Sequence, residues 1–181
     1  LNSAIAQNCD RNYIIIRNVK TAGIKSENAP NGTGVEFLID QLNPEDKSVS
    51  INYFDGLGRS VQIITVAGSP DTSDIVKCQN YDEFGRESKQ FLPFTIADNQ
   101  GAYITDWEDQ MIDFHGSDAN SYIETIFEKS PLGRAVEQIP QGDAFKNDNI
   151  SVKTNFKTNS INHEFTVKKW KSTDNNCTSS P

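Results

Sequence analysis

No apolar run approaches the roughly 18 residues that a membrane helix requires, the longest block lying around Ile14-Ile15-Ile16. Basic residues are also scarce: 17 Lys and Arg stand against 25 Asp and Glu, for a net charge of −8 and a pI near 4.7. That balance argues against a nucleic-acid partner, because gripping phosphates takes clustered cations that displace counterions. Imidazole is limited to His115 and His163, neither set in a recognisable motif, and no Gly-x-Ser-x-Gly elbow is present. Catalysis is therefore not expected. The three cysteines, Cys9, Cys78 and Cys177, lack CxxC or Cys/His spacing, which speaks against a zinc site and a full disulfide framework. The simplest reading is free thiols, with a Cys9–Cys177 bridge across the chain ends as the alternative.

What the chain does contain is repetition. Phe54-Asp55-Gly56-Leu57-Gly58-Arg59 is echoed by Tyr81-Asp82-Glu83-Phe84-Gly85-Arg86 and, more loosely, by Phe127-Glu128 reaching Leu132-Gly133-Arg134. Each copy begins with an aromatic and an acid, ends in Gly-Arg, and leads into an alternating stretch that finishes near Gln62, Gln90 or Gln138. Such units read as β-hairpins, and repeats of this kind build scaffolds more often than active sites. In the second copy Asp82 opens a type I turn, because its carboxylate can accept amide hydrogens two residues on. Gly85 then takes the left-handed conformation of a G1 bulge, where a side chain costs about 1–2 kcal/mol. Arg86 starts the return strand, within reach of Asp82 or of an acid on the next hairpin. The leading aromatics are expected to stack ring on ring between neighbouring hairpins.

Around these turns, Tyr13–Arg17 and Val35–Ile39 read as strands from their β-branched and aromatic content, with a loop from Asn28 to Gly34 between them. Pro93 should end the ladder after the second unit by withholding a donor. Thr105-Asp106-Trp107-Glu108 has capping-box form, and Trp107, Met111 and Phe114 recur at helical spacing. One short helix near residues 105–115, its apolar face on the sheet, is thus predicted inside the gap that separates the second and third units. A further hairpin is expected from Ser151–Thr158 and His163–Trp170 around Asn159-Ser160. The fold class is mainly β: consecutive antiparallel hairpins forming a curved sheet. Residues 1–10 read as an N-terminal extension, 11–171 as one hairpin-repeat domain and 172–181 as a frayed polar tail. The opening at Leu1, the single Met at position 111 and the small-x-small Ala4-Ile5-Ala6 suggest an exported piece of a longer polypeptide.

The second copy matches the Tyr-Asp-x-x-Gly-Arg signature of the Rhs, or YD-repeat, family, which the chain resembles. Tyr53 to Gln62, Phe91-Leu92-Pro93-Phe94, and Glu128 to Arg134 with Gln138 are further similar, in order, to blocks of a domain of unknown function. That domain lies near the N-terminus of large secreted Rhs-repeat proteins of Gram-negative bacteria. The likeness runs from about Tyr13 to Trp170. It implies a non-catalytic module of a secreted or cell-surface protein, part of a β-shell that carries or encloses a C-terminal domain, a toxin among the possibilities. The implied partner is the remainder of the same polypeptide. A surface adhesion module that recognises glycan or protein is the alternative. The residues assigned to the motif are Phe54, Asp55, Gly58, Arg59, Tyr81, Asp82, Gly85, Arg86, Phe127, Glu128, Gly133 and Arg134; their role is structural. The first copy departs from the signature with Phe54, and the third with Phe127-Glu128 and a turn lengthened by Ser130-Pro131.

No cofactor is expected. Asp106, Glu108, Asp109 and Asp113 lack the loop spacing of a calcium site and are explained by helix capping and the helix dipole. Asp98-Asn99-Gln100-Gly101 and Asp143 to Asn149 read as loops. Trp107 and Trp170 could line a sugar-binding surface, though a helix Trp more often faces a core.

Overall fold

The computed structural model describes residues 11–25, 28–30, 34–157, 169–173 and 176–180. Among them, strands β1 (Asn12–Val19), β2 (Lys47–Phe54), β3 (Ser60–Val66), β4 (Asp74–Asn80), β5 (Lys89–Phe91), β6 (Phe94–Ile96), β7 (Tyr122–Phe127), β8 (Ala135–Ile139) and β9 (Val152–Lys153) form one antiparallel sheet. Its order follows the chain, β1-β2-β3-β4-β5-β7-β8-β9, with β6 also on β4. Three short helices lie in the connections: α1 (Val35–Asp40), α2 (Trp107–Phe114) and α3 (Asp143–Asn147). Two further strands, β10 (Lys169–Thr173) and β11 (Asn176–Ser180), pair as a separate hairpin within the stretch expected to end in a polar tail. The hairpin expected around Asn159-Ser160 has its turn outside the described residues, as do residues 1–10 and His163.

Period-two alternation sets the two faces of the sheet. Val49, Ile51 and Tyr53 on β2, Gln62 and Ile64 on β3, and Val76 and Cys78 on β4 are all buried, and the register places Tyr53 opposite Gln62 and Ile64 opposite Val76. The three glutamines that close the repeats are not equivalent: Gln62 is fully buried, whereas Gln90 and Gln138 are exposed. A segment running from Ala97 into α2 lies over this face. Three polar side chains fix it there. Tyr53 donates its hydroxyl to the Gly101 carbonyl at 2.7 Å, and Gly101 N donates to the Asp74 carboxylate at 2.7 Å. Gln62 accepts from Ile104 N at 2.9 Å and donates to Ile104 O at 3.2 Å. Each of these contacts satisfies backbone groups that burial would otherwise leave unpaired.

Four expectations are corrected. Val35–Ile39 belongs to a helix, α1, not to a strand. The β1–β2 register runs unbroken from Asn12↔Phe54 to Val19↔Lys47 and β2 meets β3 on its other side, so the connection satisfies its amides locally, as in Gln41 N to Phe37 O. A short apolar run reads equally well as one buried helical face, and Ile39 is buried. Pro93 interrupts the ladder without ending it: the chain pairs Gln79 with Gln90 before the proline and Val76 with Phe94 after it, a one-residue register slip. Helix α2 is where it was predicted, but its N-cap is Asp106, with no side-chain cap bond; that carboxylate accepts from Gln110 instead. Its buried side includes Met111 with Trp107 and Ile112 against the core, while Phe114 is half exposed. Finally, Asp143–Asn147 is helical where a loop was expected, with Lys146 bonded to Tyr122 and Glu124.

Candidate functional site: the stepped arginine turns

The three Gly-Arg turns share a common geometry. In the first, Gly58 N donates to Asp55 O and Asp55 N to Arg59 O, closing a tight loop. The Asp55 carboxylate is divided in its work: Oδ1 accepts the amides of Leu57 and Arg59, each at 2.9 Å, and Oδ2 accepts Arg59 Nε at 2.7 Å. The second turn repeats this with Asp82, whose Oδ1 accepts Phe84 N and Arg86 N at 2.9 Å and whose Oδ2 accepts Arg86 Nε at 2.8 Å. Gly58, Gly85 and Gly133 have φ of +77°, +76° and +57°, the left-handed conformation that the bulge requires.

The third turn reaches the same result with different atoms. Glu128 spans the two-residue insertion, accepting Arg134 Nε at 2.8 Å on Oε1 and Arg134 Nη2 at 3.0 Å on Oε2. Ser130 takes over the turn amide, accepting from Leu132 N at 3.3 Å while donating to Glu128 at 2.6 Å. These bonds depress the acids. The Arg59 and Arg86 amides, the largest of several causes, hold Asp55 and Asp82 below the ordinary carboxylate value. The Arg134 side chain, with Ser130, lowers Glu128 to about 2.

Each arginine also reaches an aromatic beyond its own hairpin. Arg59 lies over the Tyr81 ring at 4.4 Å, Arg86 over Phe127 at 4.3 Å, and Arg134 over Phe156 at 4.5 Å. The register explains the recurrence. Extending Gln62↔Cys78 outward brings Arg59 opposite Tyr81; extending Lys89↔Glu124 brings Arg86 opposite Phe127; extending Glu137↔Lys153 brings Arg134 opposite Phe156. The ring-on-ring stacking expected between motif aromatics is replaced at Tyr81 and Phe127 by guanidinium on ring, since the cross-strand neighbour of each of these two is the preceding arginine. Tyr81 adds a bond from its hydroxyl to Ser60 O at 2.8 Å. The same stacking gives the later glycines a second reason to lack Cβ: a Cβ at Gly85 would stand 3.2 Å from Arg59 Nη1, and one at Gly133 3.3 Å from Arg86 Nη1.

Phe156 is the member of the series that sequence reading missed. No acid or Gly-Arg follows it, so only counting along the β8–β9 pairing reveals it. At the other end, Asn12 stands opposite Phe54 where an arginine would continue the series, and the neighbouring Arg11 lies over Tyr103.

Residues 26–158 match the family described as a domain of unknown function, DUF6443. The chain belongs to that family. Comparison with curated proteins and with solved structures finds no match.

In this DUF6443 chain the other singled-out residues lie apart from the turns. Trp107 packs edge-on against Phe91, at 4.8 Å between ring centres. His115 caps the end of α2 with Nε2 at 3.1 Å from Pro93 O. Cys78 is a buried free thiol pushed up to about 12 by burial. Cys9 lies outside the described residues, and Cys177 is opposite Ser172 in the β10–β11 hairpin. Among the described residues no three His, Cys, Asp or Glu side chains are grouped to hold a metal ion, Asp106, Glu108, Asp109 and Asp113 included. Among them, too, no helix is long and apolar enough to cross a membrane.

Proposed function

We propose that this chain is a non-catalytic structural module of an exported Rhs/YD-repeat polypeptide. It contributes hairpins to a β-shell scaffold that carries or encloses a later domain, of which a toxin is one kind. The observation that carries this reading is the arginine laid on an aromatic further along the chain, beyond its own hairpin, three times in series. A contact of that sort couples neighbours and contributes to stacking along an array. The motif acids support the same reading, since Asp55, Asp82 and Glu128 are engaged by the arginines of their own turns. Resemblance to the YD signature supplies the larger setting.

The test is to join the chain to the next stretch of polypeptide in its reading frame and to monitor unfolding by hydrogen exchange. A scaffold module gains protection at Val152 to Lys157 and unfolds together with the added residues. Unchanged protection there, with two independent transitions, would overturn the reading.

A further inference from the structure

The three turns share one more feature, which a scaffold role leaves unused. The residue before each left-handed glycine is a large apolar side chain pointing into solvent: Leu57 is 79% exposed, Phe84 71% and Leu132 72%. Of the three, Phe84 is touched within its own turn, by Arg86 at 4.8 Å from the ring, and exposed turns are ordinarily polar. The same departure occurs at three equivalent places, each residue donating its amide to the turn's Asp or Ser. Between the second and third tips runs an open groove of about 810 Å³, lined by Phe84, Phe127 and Leu132 together with the charged Glu83, Arg86 and Lys129.

Spacing narrows what such a row can hold. The tips belong to the β2–β3, β4–β5 and β7–β8 hairpins, each two strands from the next in the sheet, which sets them about 9–10 Å apart. An α-helix repeats a face about every 5.4 Å and a β-strand about every 6.7 Å. A polyproline II segment repeats one about every 9 Å, with every third side chain on the same side.

Charge narrows it further. Asp82 is held by Arg86 and Glu128 by Arg134, but Glu83 makes no ion pair among the described residues. Arg86 already lies over the Phe84 ring at 4.8 Å and is balanced by Asp82, so in a chain of net charge −8 the place left for a further cation is opposite Glu83. Lys129, on the third tip, gives the row a direction by repelling that cation from the Leu132 end.

We infer that the tips of Leu57, Phe84 and Leu132 form a docking row for an extended, proline-rich, basic segment of a partner protein. Its apolar side chains, one every third residue, seat between the tips, and a Lys or Arg faces Glu83. Recognition of this kind uses a preformed ligand helix and aromatic-walled grooves. Such docking is independent of a scaffold role, because it occupies only the outer ends of the turns.

The test titrates the whole chain, by calorimetry and by NMR shift mapping, with a probe peptide of repeated Leu-Pro-Lys units. A scrambled peptide of the same composition is the control. Saturable binding is expected, with shifts confined to the three turns. Phe84→Ser and Leu132→Ser should each weaken it at least about 10-fold. Glu83→Lys should weaken it and reduce its salt dependence. These side chains are exposed, so unchanged melting temperatures will show that the variants are folded. Equal affinity for the scrambled peptide, or no saturable binding, overturns the inference. So does self-association of the chain that the same serine variants abolish, which would make the row a contact between copies.

Discussion

The guanidinium of Arg59 lies 4.4 Å above the ring of Tyr81, a residue of the next hairpin, while its Nε and Nη2 both bond Asp55 of its own turn. One side chain thus closes a local loop and bridges to a non-local neighbour. Lysine cannot do both, because its ammonium is a point charge with neither the planar face nor the fixed fork.

Arg59→Lys should therefore destabilise the fold although charge is kept. A double-mutant cycle with Tyr81→Leu should return a coupling of about 0.5–1 kcal/mol, read from urea unfolding. Simple additivity of the two variants would show that the ring contact contributes nothing.

Gly58 and Gly85 have nearly the same positive φ, but only Gly85 lies beneath a preceding arginine. Gly58→Ala should cost about 1–2 kcal/mol for the left-handed conformation alone. Gly85→Ala carries that cost and must also push Arg59 aside by a few tenths of an ångström over Tyr81, so its melting temperature should be the lower of the two. Equal melting temperatures would remove the second role assigned to the glycine.

Acid should loosen the turns. Asp55, Asp82 and Glu128 are depressed in the folded chain, so their contribution is fully present above the ordinary carboxylate values and is lost as pH falls through the folded ones. For Glu128 the window runs from 4.5 down to about 2. Stability of Glu128→Gln, measured by chemical unfolding across that window, should fall less steeply than that of the parent chain. Parallel profiles would contradict the assignment.

Gln62 is fully buried and bonds both backbone groups of Ile104. Gln62→Leu keeps the volume roughly but leaves a buried amide and carbonyl unpaired, at a cost of about 1–3 kcal/mol. Hydrogen exchange at the Ile104 amide should accelerate well beyond the change at Val76. Uniform acceleration across the core would mean that the segment over the sheet has no separate dependence on Gln62.

Asn12 occupies the place, opposite Phe54, where an arginine would extend the series. Asn12→Arg should stabilise the chain by about 0.5 kcal/mol, and Phe54→Leu should abolish the gain. A destabilised Asn12→Arg would show that register alone does not form the contact.

Much of this architecture is legible locally. The acid, glycine and arginine of each turn are assigned by φ preference and by the reach of a short carboxylate, and β1 covers the stretch Tyr13–Arg17 read as a strand. The position of α2 comes from apolar spacing. The candidate row at the turn tips was in plain view as Leu57, Phe84 and Leu132, but their exposure was not. Val35–Asp40 shows the opposite case, since its apolar run fits a strand or a helix and only the closed β1–β2–β3 pairing decides between them.

What the sequence by itself determined is where the chain turns and which residues make each turn, because those interactions span only a few residues. The tertiary structure decided what each arginine touches beyond its own turn, that Gln62 is buried while Gln90 and Gln138 are not, and that Tyr53, Gln62 and Asp74 hold the segment after Ile96. Those outcomes depend on the register between hairpins far apart in the chain. A one-residue slip would turn every side chain to the other face, and no local preference fixes it.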